Sequence, residues 1–110
     1  MGHDILGYNN AGNEIAYARF SMGNRNATIL YSLLDAIKYY AGVSGSGNSS
    51  TFSKQQMEKA LNAYQQLYNK NGSSFSESEF LPSDQKQIHK FIQNCYVTAQ
   101  KEGSVKVYFG

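Results

Sequence analysis

The sequence predicts an α+β fold: a small three-stranded, mostly antiparallel sheet packed on one face by about three α-helices. Three features of the chain point there. Strand-like alternation occurs only at the two ends, three runs with helical spacing lie between them, and glycines or polar capping residues punctuate the joins.

The opening, His3 to Phe20, reads as a β-hairpin. His3-Asp-Ile-Leu-Gly-Tyr8 leads into Asn9-Asn-Ala-Gly-Asn13, residues that tolerate positive φ and make tight turns. Glu14 to Phe20 returns. Alternation places Ala16, Ala18 and Phe20 on one face, and Ile15, Tyr17 and Arg19 on the other. After a polar loop, Thr28 to Tyr40 carries Ile29, Leu30, Leu33, Leu34 and Ile37 at helical spacing, with Asn24 or Asn26 as cap and Gly42 as stop. Residues 42–52 read as a flexible Gly/Ser loop.

The second helix announces itself with a capping-box pair, Ser53 and Gln56, and a staple pair, Phe52 and Met57. Its apolar stripe is Met57, Ala60, Leu61, Tyr64 and Leu67, ending near Gly72. Ser76 with Glu79, and Phe75 with Phe80, suggest a short helical turn before Pro82. The third helix runs from about Asp84, capped by Ser83, to Glu102. Ile88, Phe91, Ile92, Cys95, Tyr96 and Ala99 share one face, and Gly103 is the stop. Ser104 to Phe109 alternates as a strand. Standing alone, that strand must pair with the hairpin, because a lone hairpin is marginal in water. Ala16 and Ala18 then let a helix approach the sheet closely.

At 110 residues the chain has the size of one domain, here taken as 1–110. Apolar residues make up 41% and charged residues 16%, a globular composition. The net charge of +2 is too mild to nominate a polyanionic partner. A single cysteine, Cys95, rules out an internal disulfide and a cysteine zinc site. Met1 to Leu6 lacks the cationic start and apolar run of a signal peptide, and no stretch approaches a membrane span. The chain therefore reads as soluble and cytoplasmic, and its three Asn-x-Ser/Thr sequons as products of composition.

Motifs for chemistry fail on their own residues. Gly42 to Ser49 has Walker A spacing, but Asn48 stands where the phosphate-binding lysine is needed. Asn69 to Phe80 resembles a calcium loop out of register, with Phe80 in place of the essential glutamate. Met1-Gly-His3 has the donors for square-planar Cu(II), yet a strand starting there would occupy its amides. His89 and Cys95 diverge by about 240° around their helix, so they form no thiolate–imidazolium dyad. No catalytic residue, metal or cofactor is assigned.

Two features remain. With Val105, Val107 and Phe109 turned inward, Lys106 and Tyr108 share the outer sheet face with Tyr17, Arg19 and Tyr8. Such a face suits a protein partner or self-association, and as an alternative stacks on nucleic-acid bases; the plain account is that tyrosine favours strands. Arg19, Arg25 and Asn26, near the start of the first helix, form a candidate anion site, which as a second alternative suits a binder of, or an enzyme for, a small acidic or phosphorylated compound. A non-enzymatic binding or regulatory protein acting through a protein–protein surface is the expectation.

Overall fold

A computed structural model describes residues 2–21, 25–41, 45–72 and 83–110, giving backbone placement only for residues 21, 25, 26, 67–72 and 83–85. Its elements in chain order are strands β1 (Gly2–Tyr8) and β2 (Glu14–Ser21), helix α1 (Arg25–Leu33), a 3-10 turn (Ile37–Tyr39) and strand β3 (Asn48–Ser53). Helix α2 (Lys54–Gly72), helix α3 (Ser83–Glu102) and strand β4 (Ser104–Phe109) follow. The architecture is α+β, with a four-stranded antiparallel sheet in the order β2-β1-β4-β3.

The hairpin forms where the turn chemistry predicts it. The Asn9 carboxamide oxygen accepts from the N–H groups of Ala11 and Asn13, and the Asn9 N–H donates to the Asn13 carbonyl. β4 pairs with β1, from Ile5 opposite Phe109 to Tyr8 opposite Lys106, so the two ends of the chain do meet in one sheet.

The strand count is corrected from three to four. Residues 48–52, expected within a flexible loop, form most of β3, which pairs with β4 from Asn48 opposite Phe109 to Ser53 opposite Ser104. Serine and asparagine carry weak strand preference, but a neighbouring strand with unpaired backbone groups supplies the hydrogen bonds that propensity does not. Gly45 makes the approach. Its N–H donates to the Gly110 carbonyl, and a Cβ there would lie 2.6 Å from the Phe109 carbonyl carbon and oxygen. Only glycine passes so close to another backbone. Residues 42–44 lie outside the described residues.

The first helix is shorter than its apolar spacing predicts. It ends at Leu33 because Asp35 takes a left-handed conformation (φ 56°). The Ala36 N–H then reaches back to the Tyr31 carbonyl and the Asp35 N–H to that of Ser32, which closes the helix end. Ile37, expected on the buried stripe, falls beyond this stop and is 50% exposed. The helix begins at Arg25, which puts Asn26 inside it, while Asn24 lies outside the described residues.

α2 starts as predicted. The Ser53 hydroxyl accepts from the Gln56 N–H, and the Gln56 carboxamide accepts from the Ser53 N–H. The staple residues Phe52 and Met57 are both buried, as are Ala60 and Tyr64. α3 buries Ile88, Phe91, Ile92, Cys95 and Ala99 and stops at Gly103, whose positive φ (89°) suits the residue after a helix. The short turn expected at 75–80 lies outside the described residues.

The core lies between the helices and one face of the sheet: His3, Ile5, Ala16, Ala18, Phe20, Phe52, Val105, Val107 and Phe109 from the strands, met by Leu30, Tyr31, Met57 and the α3 stripe. A Cβ on Gly7 would sit 2.9 Å from the Cys95 sulfur. The small residues Gly7, Ala16 and Ala18 thus let α3 settle close to β1 and β2.

Candidate functional site

The strand parity that fills the core also decides what the opposite face displays. Across it run three rows fixed by the register. Tyr17, Leu6, Tyr108 and Ser49 form the middle row. Glu14, Tyr8, Lys106 and Thr51 lie on one side of it, and Arg19 with Asp4 on the other. The five residues proposed from sequence for an outer surface (Tyr8, Tyr17, Arg19, Lys106 and Tyr108) therefore share one face. Ile15, assigned to that face by simple alternation, sits at the β-bulge where the register shifts near Tyr8, and its Cδ1 lies 3.3 Å from a Cβ placed on Gly7.

Tyr17 is 46% exposed and Tyr108 36%, with half-buried Leu6 between them. Both rings lean toward the Asp4 row. The Tyr17 hydroxyl donates to the Asp4 carboxylate at 2.9 Å, and the Tyr108 ring lies over Gly110, where a Cβ would meet it at 2.7 Å. Asp4 also pairs with the Arg19 guanidinium at 3.7 Å. The hydrogen bond to Asp4 raises the Tyr17 pKa first, followed by desolvation and the Asp4 charge. Tyr17 therefore stays a neutral donor and has no character as a base. This face offers aromatic surface, one oriented hydroxyl and a balanced set of charges, the equipment for contact.

No family model, curated protein or solved structure matches this chain. Its function has to be read from these side chains alone.

The candidate anion site is divided. Arg19 lies on the outer face, held by Asp4, whereas Ala27 and Leu30 bury α1 against the opposite face. The side chains of Arg25 and Asn26 lie outside the described residues. Among the described residues no three metal-ligating side chains gather, and no helix is long and apolar enough to cross a membrane. Cys95 is buried, and its thiol is pushed up to about 12 by desolvation, which leaves it protonated at neutral pH. His89 stacks on Tyr64 at 5.0 Å between ring centroids.

One cluster was not legible in the sequence. His3, only 1% exposed, hydrogen-bonds through Nδ1 to the Tyr31 hydroxyl at 3.1 Å and stacks on Tyr40 at 5.2 Å. Tyr31 meets Tyr40 edge-on and tilts against Phe109, which in turn stacks on Tyr39. Burial, with a smaller contribution from the Tyr40 charge, pushes the Tyr31 pKa up to about 12. Alternation from Ile5 already assigns His3 to the inner face. Its partners come from α1 and the turn after it, and no local pattern links those to residue 3.

Proposed function

We propose that this chain is a small non-enzymatic binding or regulatory protein, a single domain acting in the cytoplasm, that meets a protein partner through the bare face of its sheet. The observation that carries the reading is the exposed row Tyr17–Leu6–Tyr108, aromatic and aliphatic at its centre and polar at its rim. Interfaces concentrate tyrosine at their centre and keep charges at the edge. Tyr17 is held in place by Asp4, so it loses little conformational freedom when a partner covers it.

Nucleic acid is the weaker reading. Stacking needs a cationic surround, and here Arg19 and Lys106 are matched by Asp4 and Glu14, with Arg19 and Asp4 already paired. An anionic small ligand has still less support, because Arg19 turns away from α1.

The test compares capture of a partner by the wild type, by Tyr17→Glu and Tyr108→Glu, and by Lys59→Glu on the exposed side of α2. Both tyrosine variants are expected to weaken a captured complex by about tenfold or more, while Lys59→Glu leaves it unchanged. Equal capture by Tyr17→Glu and the wild type removes the face from consideration. Salt-sensitive retardation of an oligonucleotide, lost in Tyr108→Ala, would favour the nucleic-acid reading instead.

A further inference from the structure

The four-stranded sheet has two edges, β2 and β3, and among the described residues they are finished differently. In antiparallel pairing, successive residues alternately turn both backbone groups toward one neighbour and then the other. Asp4 exchanges two hydrogen bonds with Gly110, which fixes this alternation across the sheet. On β2, Arg19 must then point its N–H and C=O away from β1, and the Gln87 carboxamide takes both, at 2.9 and 3.0 Å. Gln87 thus stands where a further strand would lie. On β3 the same alternation turns Ser49, Thr51 and Ser53 outward. The Ser53 N–H is taken by Gln56. Among the described residues, nothing bonds the outward N–H and C=O groups of Ser49 and Thr51.

β3 also lacks three of the devices that keep strand edges apart. From Asn48 to Ser53 it has no charge and no proline, and its register with β4 runs unbroken. We infer that the Ser49–Thr51 edge of β3 is a self-association site, which pairs antiparallel with β3 of a second copy of this chain. Charge selects that occupant. Two copies meeting along this edge bring no like charges across the seam, and the neutral hydroxyl side chains offer nothing that would prefer a charged peptide. The edge is also self-complementary. Ser49 of one copy faces Thr51 of the other about a two-fold axis at Ser50, giving about four backbone hydrogen bonds. Because Gln87 stands across the β2 edge at Arg19, the pairing closes at a dimer and does not extend into a fibre. A seam of this length is smaller than the roughly 1,200 Å² of standard interfaces, so the dimer forms at high concentration and exchanges rapidly. This inference concerns the edge and is independent of the outer-face reading above.

The experiment is sedimentation velocity on the full chain from about 10 μM to about 1 mM, with hydrogen exchange read at individual amides. A rise from monomer to dimer mass is expected, with the Ser49 and Thr51 amides slowed by about tenfold or more at the upper concentration. Thr51→Pro removes only an outward N–H, so it should fold with an unchanged circular dichroism spectrum and remain monomeric throughout. Thr51→Lys, which leaves every backbone group in place, should do the same if the proline variant fails to fold. Tyr17→Glu should dimerise like the wild type. A wild type that stays monomeric to about 1 mM overturns the inference, as does a Thr51→Lys protein that dimerises normally. Larger oligomers, or loss of the dimer in Tyr17→Glu alone, would also overturn it.

Discussion

The outer strands β2 and β3 border the same sheet, yet they are finished by different physics. β2 carries Glu14 and Arg19, bends at a bulge near Ile15, and has its outward backbone groups at Arg19 occupied by Gln87 of α3. β3 is polar but uncharged and regular, and it is anchored mainly from one side. Gly45 and Gly47 donate to the carbonyls of Gly110 and Phe109, and the Ser53–Gln56 box ties its far end to α2. A strand with strong side-chain preferences can be recognised by itself. A strand made of Asn, Ser and Thr around a single buried Phe52 exists because its neighbour has groups to satisfy.

The largest effect should come from breaking the approach to β3. In Gly45→Ala the new Cβ would meet the Phe109 carbonyl and, at 2.7 Å, the Tyr31 hydroxyl. Backbone cannot swing aside as a flexible side chain can. A loss of about 3 kcal/mol is expected in urea denaturation, with exchange quickening first at the β3 amides. If Gly45→Ala is as stable as the wild type, β3 is not seated by this contact.

High pH comes next, and it probes the two sides separately. The Tyr31 hydroxyl lies against Gly45 beside β3, and Cys95 lies beneath Gly7 beside β2. Both groups are held protonated by burial, with pKa values of about 12 against ordinary values of 10.0 and 9.0. Below the ordinary values both the folded and the unfolded chain are protonated, and stability is fully present. As pH rises toward 12 the unfolded chain ionises first, so each group withdraws about 1.4 kcal/mol per pH unit. Urea midpoints measured between pH 9 and 12 should fall in the wild type. They should fall less steeply in Cys95→Ala from pH 9 and in Tyr31→Phe from pH 10. Slopes equal to the wild type's would show that these groups do not carry the alkaline loss.

The smallest effect should come from opening the β2 edge. Gln87→Ala gives the Arg19 backbone groups back to water at a cost of about 1 kcal/mol. Its more telling consequence is association. With the cap gone, β2 becomes a second available edge, and sedimentation at high concentration should reveal species larger than a dimer. If the variant associates no more than the wild type, Gln87 is a local stabiliser and does not guard that edge.

Much of the fold follows from local pattern: the hairpin from Asn9 to Asn13, the start of α2 from Ser53 and Gln56, and the stop of α3 at Gly103. The pairing of the chain ends followed instead from the need of the closing strand for a neighbour. The outer face was legible from local pattern as well, since a period of two assigns Tyr8, Tyr17, Arg19, Lys106 and Tyr108 to one side whatever lies beneath. Ile15 escaped that logic because a bulge changes the parity at one point. Ile37 escaped the helical period because a left-handed Asp35, a conformation more usual for glycine, ended α1 early.

The sequence by itself determined periodicity, and so which side chains face in and which face out, because alternation is a property of the backbone alone. Only the tertiary structure decided the neighbours. It made a strand of Asn48–Ser53, brought His3 beneath Tyr31, tied Tyr17 and Arg19 to Asp4, and set Gln87 against the edge of β2. Each of these is a contact between residues distant in the chain, chosen by unsatisfied hydrogen-bonding groups and by the space left open at Gly7 and Gly45.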